Sequence, residues 1–147
     1  MLNVAMAQGN IENKIFAFPV RIYYEDTDAG GIVYYANYLK FAERARSEFL
    51  RFLKIDQQKL LKEKQVGFVV RSCNIEYLSS AYLNDDLLVT CQVREMGGAS
   101  AVIYQEVLRD NEILAKIAVK VVFMNVATHR PTRIDAEISE KFVQLLD

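Results

Sequence analysis

NYLKFAERARSEFLRFLK, residues 37–54, decides the fold. On a helical wheel Tyr38, Leu39, Phe41, Ala42, Ala45, Phe49, Leu50, Phe52 and Leu53 cover about half the circumference. Lys40, Arg44, Ser47, Glu48, Arg51 and Lys54 fill the opposite side. So wide an apolar arc predicts a helix laid deep against a broad sheet. Arg46 falls inside the arc, where it is expected to snorkel to the edge or to pair with a carboxylate.

The flanking sequence supplies the sheet. Residues 14–25 alternate as a strand, with Phe16, Phe18, Val20, Ile22 and Tyr24 on one face. Pro19 within that run points to an edge position or a bulge. Asp-Thr-Asp-Ala-Gly-Gly at 26–31 breaks the alternation and predicts a loop. Beyond the helix, a short second helix fits 57–64 with Asp56 as its N-cap. Four strand runs follow at 66–79, 86–96, 99–109 and 112–126, with Gly97-Gly98 and Asp110-Asn111 as hairpin turns between the last three. Ile138, Phe142, Leu145 and Leu146 predict a short helix near 135–146.

Strand, long helix, short helix and hairpin-linked strands predict an α+β fold: a curved, mainly antiparallel sheet wrapped around one central helix. Residues 1–13 are polar enough to form a flexible tail, leaving 14–147 as a single domain. One helix cannot cover both faces and all edges of such a sheet, so a homodimer or homotetramer is expected.

Composition removes several function classes. With 147 residues the chain can bury a core without staples. A net charge of −1 argues against nucleic-acid binding. One histidine, His129, rules out chemistry needing a histidine pair, and its polar surroundings predict an exposed loop position. Cys73 and Cys91 are too few for a disulfide framework and lack metal spacing, so both read as buried free thiols. There is no targeting segment and no transmembrane stretch, which predicts a soluble, cytoplasmic protein.

The densest polar signal is Tyr24-Glu25-Asp26-Thr27-Asp28-Ala29-Gly30-Gly31, at a strand end just before the helix. Acids there lie beside the positive end of a helix dipole, which favours the ionised carboxylate. Gly30 and Gly31 allow close backbone approach to a ligand. Free N–H groups at the helix start can hold a carbonyl oxygen as negative charge grows on it. A carboxylate with a backbone oxyanion hole is a minimal acyl-transfer site. The same residues also fit an acidic, Gly-rich turn that merely caps a helix. An EF-hand fails because Asn37 stands where its final Glu belongs. A phosphate-cradling loop fails because Gly31-Ile32-Val33 lacks its lysine.

The run from Val20 to Arg46, with Tyr23-Tyr24-Glu25-Asp26-Thr27-Asp28-Ala29-Gly30-Gly31 at its centre, strongly resembles the signature of hotdog-fold acyl-CoA thioesterases of the 4-hydroxybenzoyl-CoA thioesterase type. It is most similar to the YbgC-type branch, associated with the Tol–Pal envelope system. Phe68-Val69-Val70-Arg71 and Ile75-Glu76-Tyr77 extend the resemblance more loosely to about residue 130. The resemblance implies a hotdog fold and hydrolysis of an acyl thioester to a free acid and a thiol. It places Asp28 on the catalytic carboxylate, as nucleophile or general base, and the Tyr35 N–H on the oxyanion-hole donor. It implies no cofactor and no metal, and a site lying between two subunits.

Three departures shape the expectation. Relatives of this branch read Tyr-His-Ala where this chain has Tyr34-Tyr35-Ala36; a backbone donor survives that change. The basic cluster that grips coenzyme A in the 4-hydroxybenzoyl-CoA enzymes is replaced by Met96-Gly97-Gly98-Ala99, so an acyl carrier protein is an alternative donor. Arg94, Arg130 and Arg133 are candidate phosphate contacts. Asp26 and Glu43 are extra acids, supporting or alternative to Asp28, and Tyr24, Tyr34 and Tyr38 are candidate walls of an acyl pocket. The competing class is a non-catalytic hotdog dimer that binds an acyl carrier or a membrane-biogenesis partner. A hydratase would need a histidine beside an acid, and His129 lies far along the chain from Asp28.

Overall fold

The computed structural model describes residues 1–147. Its strands are β1 (Asn10–Glu12), β2 (Ile15–Arg21), β3 (Val66–Tyr77), β4 (Asp86–Met96), β5 (Ser100–Arg109), β6 (Glu112–Asn125) and β7 (Arg130–Pro131). Its helices are α1 (Asn37–Phe52), α2 (Gln57–Lys64) and α3 (Ala136–Gln144). The sheet is antiparallel throughout, in the order β1-β2-β4-β5-β6-β3, with β7 paired to the end of β6.

Two tight turns make β4, β5 and β6 a meander, and Asp110 takes the left-handed conformation its turn requires. β2 joins the meander beside β4, and β3 closes the opposite edge beside β6. α1 lies across β2, β4 and β5, burying Tyr38, Phe41, Ala42, Ala45, Phe49 and Leu50 against Phe16, Val89 and Val93. The sheet curled around this helix is the α+β hotdog arrangement. Asp56 caps α2 by accepting from Lys59 N at 3.0 Å.

Several expectations are corrected. The buried arc of α1 is narrower than its wheel suggests, since Leu39 and Phe52 are exposed. Tyr24 does not share the inner face of β2: the strand ends at Arg21, and Tyr24–Asp26 form a 3-10 turn with Tyr24 outward. Within the expected tail, Asn10–Glu12 pair with Ile15–Ala17 of β2. That short strand stops before Pro19, which therefore keeps an open edge on one side. Cys91 is buried, but Cys73 is exposed, because β3 is an edge strand.

Arg46 neither snorkels freely nor meets a carboxylate. Its Nη1 donates to Oε1 of Gln105 at 2.9 Å. Gln105 is fully buried in β5, and its Nε2 donates to Ala42 O at 3.0 Å and to Cys91 Sγ at 3.3 Å. Burial lowers the Arg46 pKa below the usual guanidinium value and pushes the Cys91 thiol up. One glutamine thus ties helix to sheet through polar bonds inside an apolar core.

Candidate active site

The chain leaves β2 at Arg21 and reaches α1 at Asn37 through a small folded-back loop. Its two arms are held by Asp28 N to Ile32 O at 2.9 Å, Tyr34 N to Asp26 O at 2.9 Å, and an isolated bridge between Thr27 and Val33. At the tip, Oδ1 of Asp28 accepts from Gly30 N at 2.8 Å, and Gly31 N donates to Asp28 O at 3.1 Å. Gly31 has φ +83°, a left-handed conformation that disfavours any side chain. A Cβ on Gly30 would stand 3.2 Å from Asp28 Oδ1 and crowd the carboxylate. The backbone of the turn thus requires Gly31, while Gly30 leaves room for the carboxylate of Asp28, which is exposed.

The neighbouring acids behave differently. Asp26 spends both carboxylate oxygens on the loop: Oδ2 accepts from Tyr23 N at 2.9 Å and Oδ1 from Asn37 Nδ2 at 3.2 Å. Glu43 is exposed on α1, two turns beyond the helix start, at the rim of a separate cavity. That cavity, about 270 Å³, lies between α1 and the sheet and is walled by Arg46, Leu50, Phe68, Val70, Ile103 and Phe142. None of Tyr24, Tyr34 and Tyr38 lines it. Tyr38 is instead buried, its hydroxyl accepting from Ala81 N at 3.0 Å. Burial pushes its phenol pKa up.

At the helix start the Tyr35 N–H makes no hydrogen bond within the chain, and neither does that of Ala36. The loop leading there is fastened to residues 77–85. Val33 N donates to Ala81 O at 2.9 Å, Ile32 bridges Tyr82, and Ile22 N donates to Asp85 O at 2.9 Å. Arg109 holds that second loop in turn, donating to Asp85 Oδ2 at 2.8 Å and Ser80 O at 3.0 Å, with Glu112 Oε1 at 2.8 Å. These partners lie far along the chain from the acids, and only the short Ile75-Glu76-Tyr77 resemblance hinted at them.

The structure brings Asp28, Gly30, Gly31, Asp26 and Tyr35 into one loop and leaves the three arginines elsewhere. Arg94 lies eight residues, about 27 Å, along β4 from Asp86, at the far end of the sheet. There it rests 4.1 Å from the ring centre of Tyr104, with Asp147 at 3.6 Å. Arg130 pairs with Asn125 at the same far end, and Arg133 follows it, both exposed. His129 is exposed in the turn before β7. No group of acids, cysteines and histidine is arranged to hold a metal ion, and no helix is long and apolar enough to cross a membrane.

Comparison with known proteins adds chemistry to this geometry. A model of the thioesterase-like superfamily matches residues 23–142. The acyl-CoA thioesterase YbgC of Haemophilus influenzae is 45% identical over 130 residues, covering 88% of this chain and 96% of that protein. The acyl-CoA thioester hydrolase YbgC of Escherichia coli is 41% identical over 135 residues, covering 91% of this chain and all of that one. Among solved structures, a 1,4-dihydroxy-2-naphthoyl-CoA thioesterase from Synechocystis superposes with a TM-score of 0.83 at 17% identity, over 89% of this chain and 97% of that one, a likeness of fold.

Proposed function

This chain belongs to the thioesterase-like superfamily as a YbgC-type acyl-CoA thioesterase, and from that premise we propose that Asp28 and the Tyr35 N–H carry out the hydrolysis. The observation that carries the reading is the division of labour among the acids. Asp28 is exposed at a glycine-built tip with its Oδ2 unbonded, while Asp26 is consumed by the loop and Glu43 stands apart.

The thioester carbonyl carbon meets Asp28, while its oxygen takes the Tyr35 N–H. As the carbonyl becomes tetrahedral, charge grows on that oxygen, and a preorganised donor at a helix start stabilises it without reorganisation. Asp28 either attacks the carbon, forming a mixed anhydride that water then cleaves, or accepts the proton of an attacking water. Either route breaks the C–S bond, releases the thiol and leaves a free acid. Gly30 N orients the carboxylate through Oδ1 and leaves Oδ2 for the chemistry.

The site is completed by a second copy. The outer edge of β3 is unpaired over twelve residues. A two-fold pairing of such edges sets the Val66 end of one copy beside the Tyr77 end of the other. The arginine-bearing end of the partner's sheet then approaches the Asp28 loop, which a single chain keeps far from its own arginines. The same geometry accepts coenzyme A or the pantetheine arm of an acyl carrier protein.

Thiol release should be measured over a panel of acyl-CoAs and the same acyl groups on a carrier protein. Hydrolysis of at least one donor series is expected. A chain that binds both series and releases no thiol would contradict the reading and favour a binding module.

A further inference from the structure

Tyr77, the last residue of β3, has no part in the chemistry described so far. Its hydroxyl donates to the carbonyl oxygen of Tyr35 at 2.8 Å. Its ring meets those of Tyr35 and Tyr38 edge-on, at 6.1 Å and 5.4 Å between centroids. From Val33 to Leu39, every backbone N–H except those of Tyr35 and Ala36 has an acceptor in the chain. Tyr77 therefore holds the carbonyl of the residue that carries the first of the two free donors.

The peptide planes explain why this matters. The Tyr35 carbonyl shares a rigid plane with the Ala36 N–H, and the Tyr34 carbonyl shares one with the Tyr35 N–H. Asn37 N fixes the Tyr34 carbonyl at 2.8 Å. The Tyr35 carbonyl has only a long bond from Tyr38 N, at 3.4 Å, without Tyr77. A hydrogen bond to a carbonyl also polarises the N–H of the same peptide unit, in the way hydrogen-bond chains reinforce one another. Tyr77 is itself anchored: it pairs with Ala115 in β6, and the next residue, Leu78, donates from N to Leu114 O at 2.8 Å. The sheet edge thus sets the orientation of the helix start.

We propose that Tyr77 is a positioning residue for thioester hydrolysis: its hydroxyl bond to the Tyr35 carbonyl fixes the peptide plane that carries the Ala36 N–H, so that this second free donor stands beside the Tyr35 N–H to receive the oxyanion. The inference rests on the reading of Tyr35 as donor and Asp28 as catalytic carboxylate. Desolvation, with Tyr35 and Tyr38 alongside, raises the Tyr77 phenol pKa, so the hydroxyl is a donor at neutral pH as an unperturbed phenol already is.

Tyr77→Phe removes one oxygen and keeps the ring contacts. The expected kcat falls about tenfold, less than the hundredfold or more lost with a direct oxyanion donor. KM for the acyl-CoA should be unchanged, because the oxyanion exists only in the transition state. Binding of an S-alkyl-CoA, which has no carbonyl, should also be unchanged, as should the melting temperature. A Tyr77→Phe enzyme as fast as wild type would overturn the proposal. So would a kcat loss accompanied by weaker S-alkyl-CoA binding or a lower melting temperature, the marks of a general structural role. An Asp28→Asn variant measured alongside separates the two levels. If it were as active as wild type, the reading of the site itself would fail, and this inference with it.

Discussion

At the scale of single residues, Asp28 depends on what its neighbours lack. Gly31 has φ +83° with open space where a Cβ would stand, so the backbone alone restricts it. Gly31→Ala should cost about 1–2 kcal/mol through the left-handed penalty, read as a lower urea midpoint. If Gly31→Ala has wild-type stability, the turn tolerates a side chain and the assigned strain is absent. The Asp-Thr-Asp-Ala-Gly-Gly pattern makes this turn legible in the sequence, because glycine and aspartate signal it locally. The division of labour between Asp26 and Asp28 is not legible there. Both are acids two residues apart, and only Tyr23 N and Asn37 Nδ2 distinguish them.

At the scale of elements, α1 is coupled to the sheet by both packing and polar bonds. Gln105 is buried, yet its amide is bonded to Arg46, Ala42 and Cys91. Gln105→Leu should destabilise the fold by about 2 kcal/mol, since it leaves a half-buried guanidinium without its acceptor. Adding Arg46→Met should recover part of that loss, because removing both partners is cheaper than removing one. Losses that simply add in the double variant would show that the bond contributes nothing, as a thermodynamic cycle would reveal. Periodicity locates α1, α2 and β3 to β6 to within a residue or two, as alternation and helical spacing are written in the residues themselves. β1 escapes notice because three polar-flanked residues joined by main-chain bonds leave no hydrophobic pattern. The Arg46–Gln105 pair escapes because its partners lie 59 residues apart. Strand order escapes as well: β3 sits beyond β6 although it precedes β4 in the chain.

At the scale of the whole molecule, the long open edge of β3 is the main unsatisfied feature. Unpaired edges of this length invite pairing with another chain, and here the partner proposed is a second copy whose arginines are candidate phosphate contacts at the site. Specific activity should therefore fall when the enzyme is diluted until sedimentation shows a single chain. Undiminished activity in a demonstrated monomer would contradict a site completed by two subunits.

In the proposed mechanism a carboxylate at the glycine turn takes the part that histidine has in other hydrolases. The most direct test is acyl-CoA hydrolysis by Asp28→Asn, which keeps the size of the side chain and an acceptor for Gly30 N. A fall in kcat of about a thousandfold is expected, with the melting temperature and S-alkyl-CoA binding unchanged. A folded Asp28→Asn enzyme hydrolysing acyl-CoA at the wild-type rate would contradict it.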